Sequence, residues 1–394
     1  MDLFTAIDIS DYTKLIETIA KNLYDGKMQP SDLDADLMQQ TLNDLRSGLS
    51  EGIGKSFVNY KDIAVRNVSL NQHLYRFSGA KTYQQIALLN FYLKDKPSFA
   101  DFKKEALKIN DQYNKRYLET EFNTAKRSGE QATKWLKYQD QKELYPNLKY
   151  KTANDSRVRE QHRNQQDIIK PIDDVFWQTW YPPNDFGCRC YVVQTDEKAT
   201  NGTPKENPSP GFNNNVGSSN MVFAEDEHPY FVFPASDVVK IKSSFENLKQ
   251  SNPDYQLAFK GKKAKLEVST WADKKDLVDN IESAKLIVSQ LGFDVKIRPN
   301  VNIKNITNAE YSINGELADL KTPVGGKYKN IFRSAAKQSC KTVVVNLKSN
   351  KNTLEKCRAE IKKILKNDKV HSRIEDIVII TADGKVFYYK RSEI

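Results

Sequence analysis

Residues 309–321 read AEYSINGELADLK. Polar and apolar residues alternate on both sides of Asn314-Gly315, and an Asn-Gly pair between two such runs is the strongest short-range signal for a two-residue β-hairpin. Alternate residues of a strand share one face, so Asp319 and Lys321 project together while Leu320 turns into the core. Glu310 opens the first strand. Around this hairpin, Asp273–Gln290 reads as an amphipathic helix ended by Gly292, and DVKIRP (294–299) as a strand. Tyr328–Ser339 and Leu354–Lys366 read as helices, KTVVVNL (341–347) as a buried strand, and DIVIIT-ADG-KVFYYK (376–390) as a closing hairpin. The order α-β-β-β-α-β-α-β-β predicts an α/β domain over residues 255–394, with Val343–Leu347 as its central strand.

The rest of the 394-residue chain reads differently. A chain of this length is expected to hold two or three domains. Residues 11–24, 31–49 and 60–94 read as helices, the first with Leu15, Ile16, Ile19 and Ala20 at helical spacing. A longer helical pattern runs from Ser98 to Gln139 behind Pro97, so the first half is mainly α. After Tyr145-Pro146 comes a small mixed α+β module: the strand-like LKYKTAND (148–155), the helical turn RVREQHRN (157–164), the aromatic VFWQTWYPP (175–183), the loop NDFGCRC (184–190) and the strand YVVQT (191–195). Residues 201–220, NGTPKENPSPGFNNNVGSSN, have a linker composition, because such a segment buries too little apolar surface to offset its ordering entropy. Residues 228–249 bridge to the C-terminal domain. The resulting division is 1–69, 70–195, 196–250 and 255–394.

Charge is uneven along the chain. Of 61 basic and 51 acidic side chains, residues 251–394 hold 28 and 17, so the whole excess of +10 lies in that third. Such a field attracts polyanions, and phosphate neutralisation supplies most non-specific nucleic-acid affinity. A lysine-rich surface kept for solubility has the same composition. No apolar run is long enough to span a bilayer, and MDLFTAIDIS at the start carries acids where a secretory signal is basic and then apolar; synthesis in a bacterial cytoplasm is the expectation. Four cysteines do not make a disulfide scaffold in a chain this long.

Metal-assisted phosphodiester cleavage needs hard carboxylate oxygens for the ion and a lysine beside the scissile phosphate. Glu310, Asp319 and Lys321 meet that need on one hairpin. Glu282 on the preceding helix can add a carboxylate, and Lys337 and Gln338 lie near the end of the following helix. A solvated hairpin edge with cross-strand ion pairs has the same residues. The segments NIESAK (280–285), LGFDVKIRPN (291–300), NAEYSING (308–315), ELADLKTP (316–323) and SAAKQSCKTVVVNL (334–347) resemble the PD-(D/E)xK nuclease superfamily, whose core is αβββαβ. More narrowly, they resemble the C-terminal tRNase domains of contact-dependent inhibition (CdiA-type) toxins. The resemblance implies a metal site of Glu282, Glu310 and Asp319 with Lys337 as the lysine, a divalent ion (Mg²⁺ or Zn²⁺), a tRNA substrate and an immunity protein as partner. Glu310 stands where aspartate is common in that family, and Lys321 where some relatives carry an aromatic, so the choice between the two lysines stays open.

In the small module, Cys188, Cys190 and His162 supply three soft donors for zinc, at a spacing outside the standard structural patterns and without a fourth ligand. A buried packing role or a redox-labile pair also accounts for them. Arg157 and Arg159 have Asp155, Asp173 and Asp174 as possible partners. The string KTANDSRVREQH (151–162), then Trp177 and Trp180, then YPPNDFGCRC (181–190) resembles phage Mu F-like minor head proteins over residues 70–195. That resemblance implies a virion component with portal or capsid partners and a role in head morphogenesis. The combined expectation is a phage or prophage head protein carrying a nuclease effector. The alternatives are a structural head protein whose basic tail binds packaged DNA without cleavage, and a metal-independent nuclease using His371 in the charged stretch NDKVHSRIED (367–376).

Overall fold

A helix needs something to satisfy its first free N–H groups, and the chain supplies a side-chain cap at two of its N-terminal helices. Asp34 accepts the Leu37 amide at 2.8 Å and starts the helix Ala35–Ile53, while Ser98 Oγ accepts the Asp101 amide at 3.2 Å and starts the helix Phe99–Asp111. The computed structural model describes residues 9–54, 63–201, 204, 206–323, 328–348, 353–366 and 371–394. The chain divides into two compact units, Met1–Phe245 and Glu246–Ile394. No helix among the described residues is long and apolar enough to cross a membrane.

The first unit is mainly helical: α1 Ser10–Tyr24, α2 Ala35–Ile53, α3 Ile63–Leu93, α4 Phe99–Asp111 and α5 Leu118–Asp140. α2 begins four residues later than the sequence predicts, because Asp34 is its cap and the preceding Pro30–Asp32 forms a separate 3₁₀ turn. The Ser98–Gln139 pattern is helical throughout, with a π-helical stretch at Gln112–Tyr117 joining α4 to α5. α2 and α5 meet across glycines. A Cβ at Gly52 would run into the Lys126 carbonyl, and one at Gly129 would lie 2.5 Å from the Leu49 carbonyl oxygen.

α3 is buried on nearly all sides, and its one buried lysine is fully paired. Lys81 Nζ donates to Glu121 Oε2 at 2.5 Å with both side chains out of solvent, and Tyr230 donates to the other oxygen of Glu121. The small module follows: β1 Asn147–Lys151, α6 Glu160–Arg163, β2 Ile169–Pro171, α7 Phe176–Trp180 and β3 Tyr191–Thr195, with strand order β2-β1-β3. After it come α8 Val216–Ser219 and α9 Ala235–Ser251. The described residues of 201–220 are mostly loop, as the composition predicts, but they are not a free linker. Phe212, Val216, Val222 and Phe223 are buried, Phe223 stacks on Phe77 of α3 at 4.4 Å, and Arg66 Nη1 donates to the Gly217 carbonyl at 2.5 Å. A few apolar anchors outweigh the polar average because α3 gives them a surface to meet.

The second unit is one sheet with strand order β11-β10-β9-β8-β7-β6-β5-β4. Its elements are β4 Tyr255–Lys260, β5 Lys265–Ser269, α10 Leu277–Leu291, β6 Val295–Ile297, β7 Tyr311–Ile313, β8 Glu316–Lys321, α11 Tyr328–Lys337, β9 Thr342–Asn346, α12 Leu354–Leu365, β10 Asp376–Ile380 and β11 Val386–Lys390. The predicted strands and helices are present; the β4–β5 hairpin is additional. β9 runs parallel to both β8 and β10 and is buried along its length. Replacing Gly52 by Ala should destabilise the first unit by about 1–3 kcal/mol, the cost of overpacking against backbone. Denaturant unfolding of the full chain measures it, and an unchanged midpoint would mean that α2 and α5 separate at no cost.

Candidate metal centre

Tyr311, Ser312 and Ile313 of β7 pair with Ala318, Leu317 and Glu316 of β8. Asn314 and Gly315 close the hairpin at φ of 49° and 89°, the two positive values that a type I′ turn requires. One further step in this register sets Glu310 opposite Asp319. Lys321 Nζ donates to Glu310 Oε1 at 2.6 Å and lies 3.1 Å from Asp319 Oδ1. Asp319 is 0% exposed, and apart from that ion pair neither of its oxygens has a hydrogen-bond partner among the described residues.

Burial pushes the Glu310 carboxyl above its usual range, with Lys321 opposing the rise and Asp319 and Asp276 adding to it. Burial likewise raises Asp319, again against the pull of Lys321. For Lys321 burial acts downward, but the two carboxylates outweigh it and hold the ammonium above its ordinary value. The Cys340 thiol is pushed up to about 12 by burial and then by Asp319, so it is protonated beside the pair at neutral pH.

The two faces of the sheet decide which other residues join. Asp319 and Lys321 pair with Val343 and Val345, which pack with Phe332, Ala335, Cys357 and Ile361 under α11 and α12. The opposite face belongs to α10: Tyr311 Oη donates to the Asn280 carbonyl at 2.5 Å, and Asn346 Nδ2 to Ser283 Oγ at 2.9 Å. Glu282 therefore sits on the helix across the sheet. Its exposed carboxylate takes Lys348 Nζ at 2.6 Å, and it forms no group with Glu310 and Asp319 among the described residues. The acid of this helix that does reach Glu310 is Asp276, just ahead of α10. Asp276, Asp273, Arg298 and Glu310 line one cavity of about 100 Å³. Lys337 is exposed on α11, whereas the Gln338 side-chain oxygen is buried without a partner among the described residues. Nothing in the sequence around Asp276 and Arg298 separates them from ordinary surface charge.

His371, in its charged stretch, does not face solvent. It is buried, it meets Phe332 at 6.4 Å between ring centroids, and burial followed by Arg391 lowers its pKa. That is a packing position under α11, unsuited to a surface acid–base site.

In the small module, His162 of α6 and Cys188 and Cys190 ahead of β3 converge, all buried. Both Sγ atoms approach the same His162 Nδ1, at 3.7 Å from Cys188 and 3.6 Å from Cys190. The arginine pairing agrees with expectation for Arg157 and Asp155 and departs from it for Arg159. Asp155 is gripped by both terminal nitrogens of Arg189, at 2.5 and 2.7 Å, with Arg157 only at 3.8 Å. Arg159 pairs with Asp185 at 3.0 Å and not with Asp173 or Asp174, since α6 turns it toward the NDFGCRC loop.

Residues 94–193 match the family described as Phage Mu protein F like protein, and residues 307–386 match the contact-dependent growth inhibition CdiA C-terminal domain. The chain joins a Mu F-like region to a CdiA C-terminal domain. The Mu F-like region is 36% identical over 77 residues to the putative capsid assembly protein F of Escherichia phage Mu, covering 20% of this chain and 18% of that protein. It is 38% identical over 84 residues to the Mu-like prophage FluMu F protein of Haemophilus influenzae, covering 21% and 20%. The chain thus spans about a fifth of these curated relatives. Among solved structures, a CdiA-CT/CdiI toxin and immunity complex from Burkholderia pseudomallei aligns at 22% identity and a TM-score of 0.24, covering 29% of this chain and 85% of that one. The CdiA C-terminal match includes Glu310, Asp319, Lys321, Lys337 and Gln338 and begins after Glu282; the Mu F-like match includes His162, Cys188 and Cys190.

Because the two acids are raised, the folded protein keeps their protons in a window just above ordinary carboxylate values, and stability falls as pH rises through it. Asp319→Asn should therefore raise the melting temperature of the metal-free protein at neutral pH by about 2–4 °C and flatten that fall. A lower melting temperature in EDTA would mean that the attraction of Lys321 exceeds the cost of burial.

Proposed function

We propose that the CdiA C-terminal domain of this chain is a divalent-metal-dependent nuclease effector, carried by a phage or prophage head protein. The observation that carries the reading is Asp319. A fully buried carboxylate with both oxygens short of hydrogen bonds is costly, and it opposes a second carboxylate with a lysine between them. A bound cation would remove that cost. Glu310 and Asp319 would hold it. Two hard oxygen donors suit Mg²⁺, and Zn²⁺ also accepts carboxylates. When bound there, such an ion polarises a phosphate and lowers the pKa of water.

Lys321 compensates both acids in the ion-free protein and, beside a scissile phosphate, neutralises developing negative charge. Asp276 and Arg298 extend the site along the cavity from Glu310. Lys329, Arg333 and Lys337 recur at i, i+4 and i+8 on α11, all exposed, and among the described residues none has an acidic partner within 4.0 Å. That stripe suits the backbone of a nucleic acid. The order α10-β6-β7-β8-α11-β9 is the αβββαβ sequence of the PD-(D/E)xK core, which supports the same assignment. The choice of tRNA rests on the family likeness. An effector of this kind obliges the producing cell to make a protein that covers the domain, and the Mu F-like region suits attachment to portal or capsid proteins in the virion, with action in the target-cell cytoplasm.

The purified full chain should cleave RNA with Mg²⁺ or Zn²⁺ and not in EDTA, with tRNA as the preferred substrate. Asp319→Ala should lose on the order of 100-fold or more, as removal of a principal electrostatic group does. Lys321→Met and Lys337→Ala, compared side by side, assign the lysine. Metal should also raise the melting temperature of the wild type and not of Asp319→Asn. Salt-dependent DNA binding without cleavage, unchanged in Asp319→Ala, would instead support a structural head protein with a basic tail, the reading that the charge excess alone favours.

A further inference from the structure

Within the Mu F-like region, His162, Cys188 and Cys190 bring three metal-binding donor atoms within 4.8 Å of one another. We propose that they bind one zinc ion, leaving a fourth coordination position to a water molecule in the adjoining cavity. Tetrahedral zinc with bonds of about 2.3 Å to sulfur and 2.0–2.1 Å to nitrogen sets each sulfur about 3.6 Å from the nitrogen. The two Sγ–Nδ1 distances are 3.7 and 3.6 Å. An imidazole nitrogen has one in-plane position, either donor or acceptor, so hydrogen bonding serves one sulfur and not two. His162 Nε2 has no hydrogen-bond partner among the described residues either, so packing and the two sulfurs place the ring. Its face-to-edge neighbour is Trp180, with ring centroids 6.2 Å apart and planes at 89°.

The cradle is assembled without the ion. Cys188 and Cys190 share one side of the chain while Arg189 turns to the other and holds Asp155 with two hydrogen bonds. Gly187, at φ 67°, makes the turn that brings the pair round, and Arg159 ties α6 to Asp185 and to the Phe186 carbonyl in the same loop. Both thiols are free, with no bond between them. Beside the three donors lies a cavity of about 10 Å³, room for one water-sized ligand, walled by Arg157 and Arg159. The module around it has three short strands and two helices of four and five residues, so a metal linking α6 to the start of β3 would staple a small core.

The test uses the full chain, purified under reductant, in wild-type form and in a Glu310→Gln/Asp319→Asn background that removes the oxygen donors of the other site. The background should hold about one zinc per chain and the wild type at least that, and Cys188→Ser/Cys190→Ser in the background should lower it to about a tenth or less. Loading with Co²⁺ should produce a thiolate-to-cobalt charge-transfer band and the strong visible absorption of tetrahedral cobalt, both lost in the cysteine variant and altered in His162→Asn. Failure of the wild-type chain to develop the band with Co²⁺ would overturn the proposal, and that measurement needs no variant to fold. So would a band that persists without the two cysteines, or a Cys188–Cys190 disulfide that forms at the same rate with zinc present. Cleavage of nucleic acid is not read, so the outcome is independent of the nuclease assignment.

Discussion

A two-residue turn with both φ angles positive joins antiparallel strands in one register, and Asn314 and Gly315 make that turn between β7 and β8. The register brings Glu310 to Asp319, and the period of two along β8 brings Lys321 to the same face. Parallel pairing with β9 then lays that face under α11 and α12 and shuts Asp319 away from water. Burial is what gives the cluster its chemical character. On an open hairpin edge these three residues would form a solvated ion pair of little worth. Enclosed by β9 and the helices above it, they hold two carboxylates near one ammonium, with Asp319 short of hydrogen bonds.

Local cost of this kind recurs at functional sites, where a ligand is expected to complete what the protein leaves open. The first unit handles buried charge differently. Lys81 and Glu121 are enclosed as fully as Asp319, but they contact each other directly and Tyr230 fills the other carboxylate oxygen. That pair is complete within the protein. Asp319 is not, and the contrast within one chain supports giving the first a structural role and the second a chemical one.

Helices and hairpins were legible in the sequence where their causes are local. Apolar spacing located α1 to α5 to within a few residues, and Asn-Gly marked the hairpin. The β4–β5 hairpin carries no clear strand signal, because its residues, FKGKKAKLE at 259–267, are rich in lysine. Such composition is common on an edge strand, where charge discourages pairing with another chain, and β4 is an edge. The Asn- and Gly-rich stretch at 201–220 looked free because its average polarity hides the few residues that dock on α3.

By itself the sequence determined the hairpin, its turn, and the common face of Asp319 and Lys321, because these follow from backbone geometry over a dozen residues. It also determined the cysteine and histidine triad as a candidate, though not its closeness. Only the tertiary structure decided which distant groups meet: that Glu282 lies across the sheet with Lys348, that Asp276 and Arg298 flank Glu310, that Arg189 rather than Arg159 holds Asp155, and that His371 is buried. Those outcomes depend on which face of the sheet each helix covers and on how far burial removes a charge from water. Neither quantity is carried by residue spacing.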